Sequence, residues 1–151
     1  MTKKILLNND VSIPVIGLGT YKIGMNDDET YRAVRTALDK GYRHIDTAAA
    51  YGNEEGVGKA VRESGIPREE IFITTKLWND DMRANKTKEA FKRSLEKLGL
   101  DYVDLYLIHW PVKDKYIDCY LEMEELYNEG LIRAIGVSNF LKHHLEPLLE
   151  R

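Results

Sequence analysis

The 151 residues suit one compact domain; 43% are hydrophobic and 31% charged, with a net charge of −3 at pH 7 from interspersed acids and bases. No basic field is present for nucleic acid, and no apolar run approaches the roughly 20 residues that span a bilayer. The single cysteine, Cys119, excludes an internal disulfide framework and fits a reducing cytosol, so a cytoplasmic protein is expected.

The N-terminal "MTKKILLNND" has a basic start but too short an apolar patch for a signal peptide. "ILLNNDVSIPV" reads as a hairpin turning at Asn8-Asn9-Asp10. "VIGLGTYK" (15–22) reads as a strand. Helix 26–41 follows, capped by Asn26 with Glu29 three residues on and stopped at Gly41. Strand 43–48, "RHIDTA", then leads into helix 53–65, where Glu54 and Glu55 complement the dipole.

The alternation continues. "IFITTKLW" (71–78) is strand-like and 86–99 is helical. "YVDLYLIHW" (102–110) is strand-like. Helix 115–130 carries Tyr116, Tyr120, Met123 and Tyr127 at 4-3-4 spacing, with Cys119 in its core. "IRAIGVSNF" (132–140) is the fifth strand after the hairpin. "LKHHLEPLLER" starts another helix, with Pro147 awkward in its interior.

Strand starts recur about every 30 residues, the size of a βα unit. "LYLI" and "IFIT" are apolar on both faces, as buried parallel strands are. Two α/β architectures fit, an open doubly wound sheet or a closed (β/α) barrel. The dinucleotide fingerprint of the open sheet is imperfect, because Lys22 stands where the third glycine of "GLGTYKIG" belongs. Gly17 and Gly19 read more simply as a crowded strand and its exit turn.

Four proton-active side chains converge on one rim. Asp46 ends one strand and Tyr51 lies in the loop after it. Lys76 ends the next strand, and His109 the one after that. The C-terminal rim of a parallel sheet is where α/β enzymes build their sites. A free phenol is a weak acid, with a pKa near ~10, and an adjacent ammonium favours its ionised form. Lys76 needs a counter-charge, which Asp46 supplies, and His109 can orient a carbonyl oxygen. The set suits carbonyl reduction with hydride from a cofactor. His143 and His144, adjacent on a helix, point about 100° apart, poor geometry for a metal, and no metal site is expected. They read as a solvated pair. No G-x-S-x-G accompanies Ser138, so no serine triad is expected.

"GYRHIDTAAAYGNEEGVG" resembles the first signature of the aldo-keto reductase superfamily, and "GLIRAIGVSNF" its second. "ITTKLW" and "LYLIHWP" match the strand ends that carry the family's lysine and histidine. The wording is similar to that of bacterial 2,5-diketo-gluconate and glyoxal/methylglyoxal reductases. The resemblance implies a (β/α)8 TIM barrel, closed below by the hairpin, with NADPH across the top and a small carbonyl substrate. It implies Tyr51 as proton donor, Lys76 and Asp46 as its charge partners, and His109 orienting the carbonyl. Gly19, Thr20, Tyr21 and Asp46 would lie near the nicotinamide, with Ser138 and Asn139 on its carboxamide. Tyr21, Trp78, His109 and Trp110 would wall the substrate pocket. Many members have Trp where this chain has Tyr21.

A (β/α)8 barrel takes about 250 residues. Residues 1–151 are therefore expected to form one partial, truncated barrel domain, the hairpin plus about five βα units. Most of the family's cofactor site would lie outside it. Raw sheet edges would invite self-association. Two further readings stand beside the reductase: a barrel-type interaction module, as in potassium-channel β subunits, and a non-catalytic remnant.

Overall fold

The computed structural model describes residues 3–151. β1 (Lys4–Leu6) and β2 (Ser12–Pro14) form an antiparallel hairpin. Asp10, in the left-handed region at φ 64°, makes the turn there. Asn9 Nδ2 donates to the Arg133 carbonyl at 2.9 Å, which ties the hairpin to the lower end of the last strand.

Five parallel strands follow in sequential order: β3 (Leu18–Gly19), β4 (His44–Asp46), β5 (Phe72–Leu77), β6 (Val103–Ile108) and β7 (Ile132–Val137). β3 and β7 stand at the two ends of the sheet. Connecting them are α1 (Asp27–Asp39), α2 (Glu54–Arg62), the short α3 (Asn79–Arg83), α4 (Thr87–Leu98) and α5 (Tyr116–Asn128). α6 (Lys142–Leu149) follows β7. The sequential parallel order with intervening helices is that of a barrel wall, in keeping with the (β/α) barrel expectation.

Several local expectations change. The run 15–22 is not one strand. The Val15 N–H pairs with the Lys3 carbonyl and extends the hairpin, Leu18–Gly19 alone joins the sheet, and Lys22 turns away at φ 53°. α3 was not anticipated. Along α5 Cys119 is buried as expected, with Met123 and Leu126; Tyr116 and Tyr120 pack partly buried against that core, and only Tyr127 of the 4-3-4 row is exposed. Pro147 does lie inside α6, which begins at Lys142.

Asn26 caps α1 as expected, its Oδ1 accepting from the Glu29 N–H at 3.0 Å. Gly41 takes φ 95°. β5 is buried at every position, and its alternate residues face two ways. Ile45, Ile73, Tyr106 and Ile108 join the core that the helices cover. His44, Asp46, Thr74 and Lys76 line the opposite, inner face, where His44 Nε2 and Thr74 Oγ1 lie 2.9 Å apart. Below, Asp104 is buried, receiving the Ile73 N–H at 2.9 Å and Arg68 at 2.8 Å. Among the described residues no helix is long and apolar enough to cross a membrane.

Candidate active site

The register of the sheet brings the rim residues together. Asp46 pairs with Thr74, so Lys76 stands two residues further along β5 on the same face. Its Nζ donates to Asp46 Oδ1 at 2.6 Å, to the Thr47 carbonyl at 2.9 Å and to the Tyr51 hydroxyl at 3.3 Å. All three ammonium hydrogens are thus engaged. The Lys76 side chain is 6% exposed and that of Asp46 34%. Burial of this cation is offset by a charge, a carbonyl and a phenol.

Tyr51 ends a single 3-10 turn, Ala49–Tyr51, closed by Gly52 in the left-handed conformation at φ 66°. That turn lifts the phenol above β4 and β5. Its ring packs on Tyr21 at 5.1 Å and edge-on to His109 at 5.7 Å between centroids.

His109 follows β6 directly and is buried. Trp78 meets it edge-on at 5.2 Å, and Trp110 lies nearly parallel at 6.4 Å. Burial first, and the Lys76 charge second, hold its pKa below the ordinary imidazole value, so the ring is neutral at pH 7. Nδ1 is enclosed without a partner among the described residues. An orphaned N–H is rarer than an orphaned acceptor, which favours the tautomer with hydrogen on Nε2. A cleft of about 480 Å³ is lined by Tyr21, Ala50, Tyr51, Trp78, His109 and Trp110.

The residues expected around a nicotinamide lie on the same rim. Gly19 pairs with Asp46, and a Cβ there would meet nothing within 4 Å. The crowding expected of these glycines holds only for Gly17, where a Cβ would stand 2.9 Å from the His44 ring. Thr20 is fully buried, its N–H on the Asp46 carbonyl at 2.9 Å. Ser138 and Asn139 follow β7, the latter at φ 61°. The Asn139 amide donates to the His109 carbonyl at 2.9 Å and to Ser138 Oγ at 3.2 Å.

Two polar residues escaped the sequence reading. Asn53, read only as a helix start, is buried and bonds to Thr47 and Thr20. Glu54, read as an acid complementing the helix dipole, is buried and accepts from Thr75 at 2.7 Å and Ser94 at 3.2 Å. The His143 and His144 rings lie 3.9 Å apart, closer than expected of side chains pointing apart, but in different surroundings. His143 is exposed, whereas His144 packs on Tyr116 and Phe140 and its Nδ1 accepts the Leu141 N–H at 2.9 Å.

The profile of the Aldo/keto reductase family matches residues 15–150. The chain belongs to the aldo/keto reductase family. Among its relatives, the glyoxal reductase of Bacillus subtilis is 57% identical over 95% of this chain and 52% of its own length. The methylglyoxal reductase DkgA of Escherichia coli K12 is 53% identical over 91% of this chain and 50% of its own. The crystal structure of a Brucella melitensis aldo/keto reductase superposes with a TM-score of 0.95 at 51% identity, over 99% of this chain and 59% of that one. The Bombyx mori aldo-keto reductase, solved in complex with NADP, superposes with a TM-score of 0.91 at 40% identity, over 99% and 54%. This family member spans about half the length of the curated relatives it matches.

Proposed function

We propose that the protein reduces aldehydes and ketones to alcohols with NADPH, Tyr51 acting as the general acid. One observation carries this reading: a phenol in a cleft, 3.3 Å from a buried ammonium that a carboxylate and a carbonyl hold in place. The names of the bacterial relatives support small dicarbonyls as substrates, and the NADP complex of the silkworm relative supports the cofactor.

The rim suits a nicotinamide headgroup in its donors and acceptors. A carboxamide needs one donor and one acceptor, and the Ser138 hydroxyl and Asn139 Oδ1 supply them. The bare backbone at Gly19 leaves room for close approach, with Thr20, Tyr21 and Asp46 beside it. Bound there, NADPH supplies the hydride that no side chain can.

The remaining chemistry belongs to the chain. On this reading the substrate oxygen lies in the cleft between Tyr51 and His109, both of which line it. His109 Nε2–H donates to that oxygen and orients it. Tyr51 releases its phenolic proton to the oxygen as negative charge gathers there. The Lys76 ammonium stabilises the phenolate left behind, and Asp46 with the Thr47 carbonyl keeps Lys76 facing it. Tyr51 regains its proton from solvent. Trp78, Trp110 and Tyr21 wall the cleft.

NADPH oxidation with methylglyoxal, run beside Tyr51→Phe, tests the proposal. Turnover is expected, and Tyr51→Phe lowers kcat about 10²–10⁴-fold with unchanged circular dichroism. Absence of both turnover and NADPH quenching of tryptophan fluorescence overturns it.

A further inference from the structure

We propose that Asn53 is a positioning residue for Tyr51 and Lys76, acting through the Thr47 peptide and the Thr20 strand end. The role rests on the reductase reading above. Asn53 precedes α2 and sits two residues after Tyr51, yet its side chain does not cap that helix. It turns inward instead. Its Oδ1 accepts from Thr47 Oγ1 at 2.8 Å, and its Nδ2 donates to the Thr20 carbonyl at 2.8 Å.

The amide orientation has one solution. The Thr20 carbonyl can only accept, so the nitrogen must face it, and the oxygen is left for the Thr47 hydroxyl. Thr20 and Thr47 are fully enclosed, and Asn53 is 8% exposed. Their enclosure keeps solvent from replacing either bond, so loss of one leaves a buried group unpaired.

The bonds close a ring. Asn53 binds Thr47 and Thr20, and the Thr20 N–H returns to the carbonyl of Asp46, the residue before Thr47. Two outputs of the ring reach the phenol. The Thr47 carbonyl holds Lys76 Nζ, which donates to Tyr51. Tyr21, next to Thr20, packs on the Tyr51 ring. One amide thereby sets the ammonium on one side of Tyr51 and the aromatic wall on the other. Asn53 touches no reacting atom.

The test compares Asn53→Ala, Thr47→Val and Thr47→Ser with the parent. Thr47→Val removes the same bond from the other end, and Thr47→Ser restores the hydroxyl. Two measurements are made: kcat and KM with NADPH and methylglyoxal, and the chemical shift of Tyr51 at neutral pH by NMR of 13Cζ-tyrosine protein, its resonance identified by its loss in Tyr51→Phe. Asn53→Ala and Thr47→Val are expected to lower kcat about ten- to a hundredfold with KM changed far less. Both should shift the Tyr51 resonance, because the ammonium and the Tyr21 ring that face it are displaced. Thr47→Ser should stay near the parent in both. A folded Asn53→Ala protein whose Tyr51 resonance stays at the parent position overturns the proposal. So does equal loss in Thr47→Ser and Thr47→Val. The NMR arm needs no turnover, so it decides the positioning role even where the parent fails to reduce methylglyoxal.

Discussion

Lys76 and Asp46 form an ion pair at 2.6 Å in which one partner is enclosed and the other reaches solvent. The two are not equivalent. Asp46 can rehydrate if Lys76 is lost, but Lys76 cannot if Asp46 is lost. Breaking a buried pair costs ~3–5 kcal/mol, and two remaining acceptors bring the expected loss for Asp46→Ala to about 2–3 kcal/mol. Lys76→Met, which strands only the half-exposed carboxylate, should cost less. Urea denaturation of both variants checks the order, and a larger loss for Lys76→Met would contradict it.

Stability should fall on the acid side through His109. Burial lowers its folded pKa from 6.5. Above that value both folded and unfolded rings are neutral, and nothing is lost. As pH drops through it, the unfolded chain takes a proton that the folded one refuses, so stability declines until the folded pKa is passed. His44, lowered by its own burial, adds in the same direction. His109→Gln should therefore reduce, without abolishing, the fall in Tm between about pH 7.5 and about pH 5.5. An unchanged fall would rule His109 out as a contributor.

Glu54 works with the opposite sign. Burial raises its carboxyl above 4.5 against the hydrogen bonds of Thr75 and Ser94. Below that value both states are protonated and burial of a charge costs nothing. Above the folded pKa the buried carboxylate lowers stability. Glu54→Gln keeps both hydrogen-bond partners and removes the charge. It should stabilise the protein at neutral pH, with the gain shrinking toward about pH 4. Denaturant melts at the two pH values measure this, and a gain independent of pH would refute it.

Two glycines should respond differently to alanine. A Cβ at Gly58 would stand 2.0 Å from the Leu98 carbonyl, where α2 crosses the end of α4. Overpacking of backbone against backbone should cost about 1–3 kcal/mol in Gly58→Ala. Gly19→Ala meets open space and should leave Tm nearly unchanged. On the proposed function it should instead weaken NADPH binding, read by fluorescence titration. A Gly58→Ala protein as stable as the parent would show that the helices separate freely.

Much of this was legible in the chain. Hydrophobic runs broken by Gly41 and Gly99 marked the βα rhythm, because each left-handed stop ends a helix before a buried strand. Asp46, Lys76 and His109 could be read as site candidates because polar groups interrupt apolar strands at the same end. Tyr51 joined them only through proximity and resemblance. α3 was missed because five residues carry too little periodicity to register. The core place of Cys119 on α5 was legible, whereas the exposure of Tyr127 at the end of the 4-3-4 row was not.

The linear sequence by itself determined the alternation of elements, the strand-end placement of Asp46, Lys76 and His109, and the family. Those follow from local periodicity and from motif wording. Tertiary structure alone decided which hydrogens of Lys76 go to which oxygen, which side of Asn53 faces Thr20, and that Glu54 is enclosed rather than solvated. Strand register and helix packing bring residues some 20 to 40 positions apart to within hydrogen-bond distance. Nothing in the spacing of an Asn or a Glu along a helix start distinguishes a cap from a buried clamp.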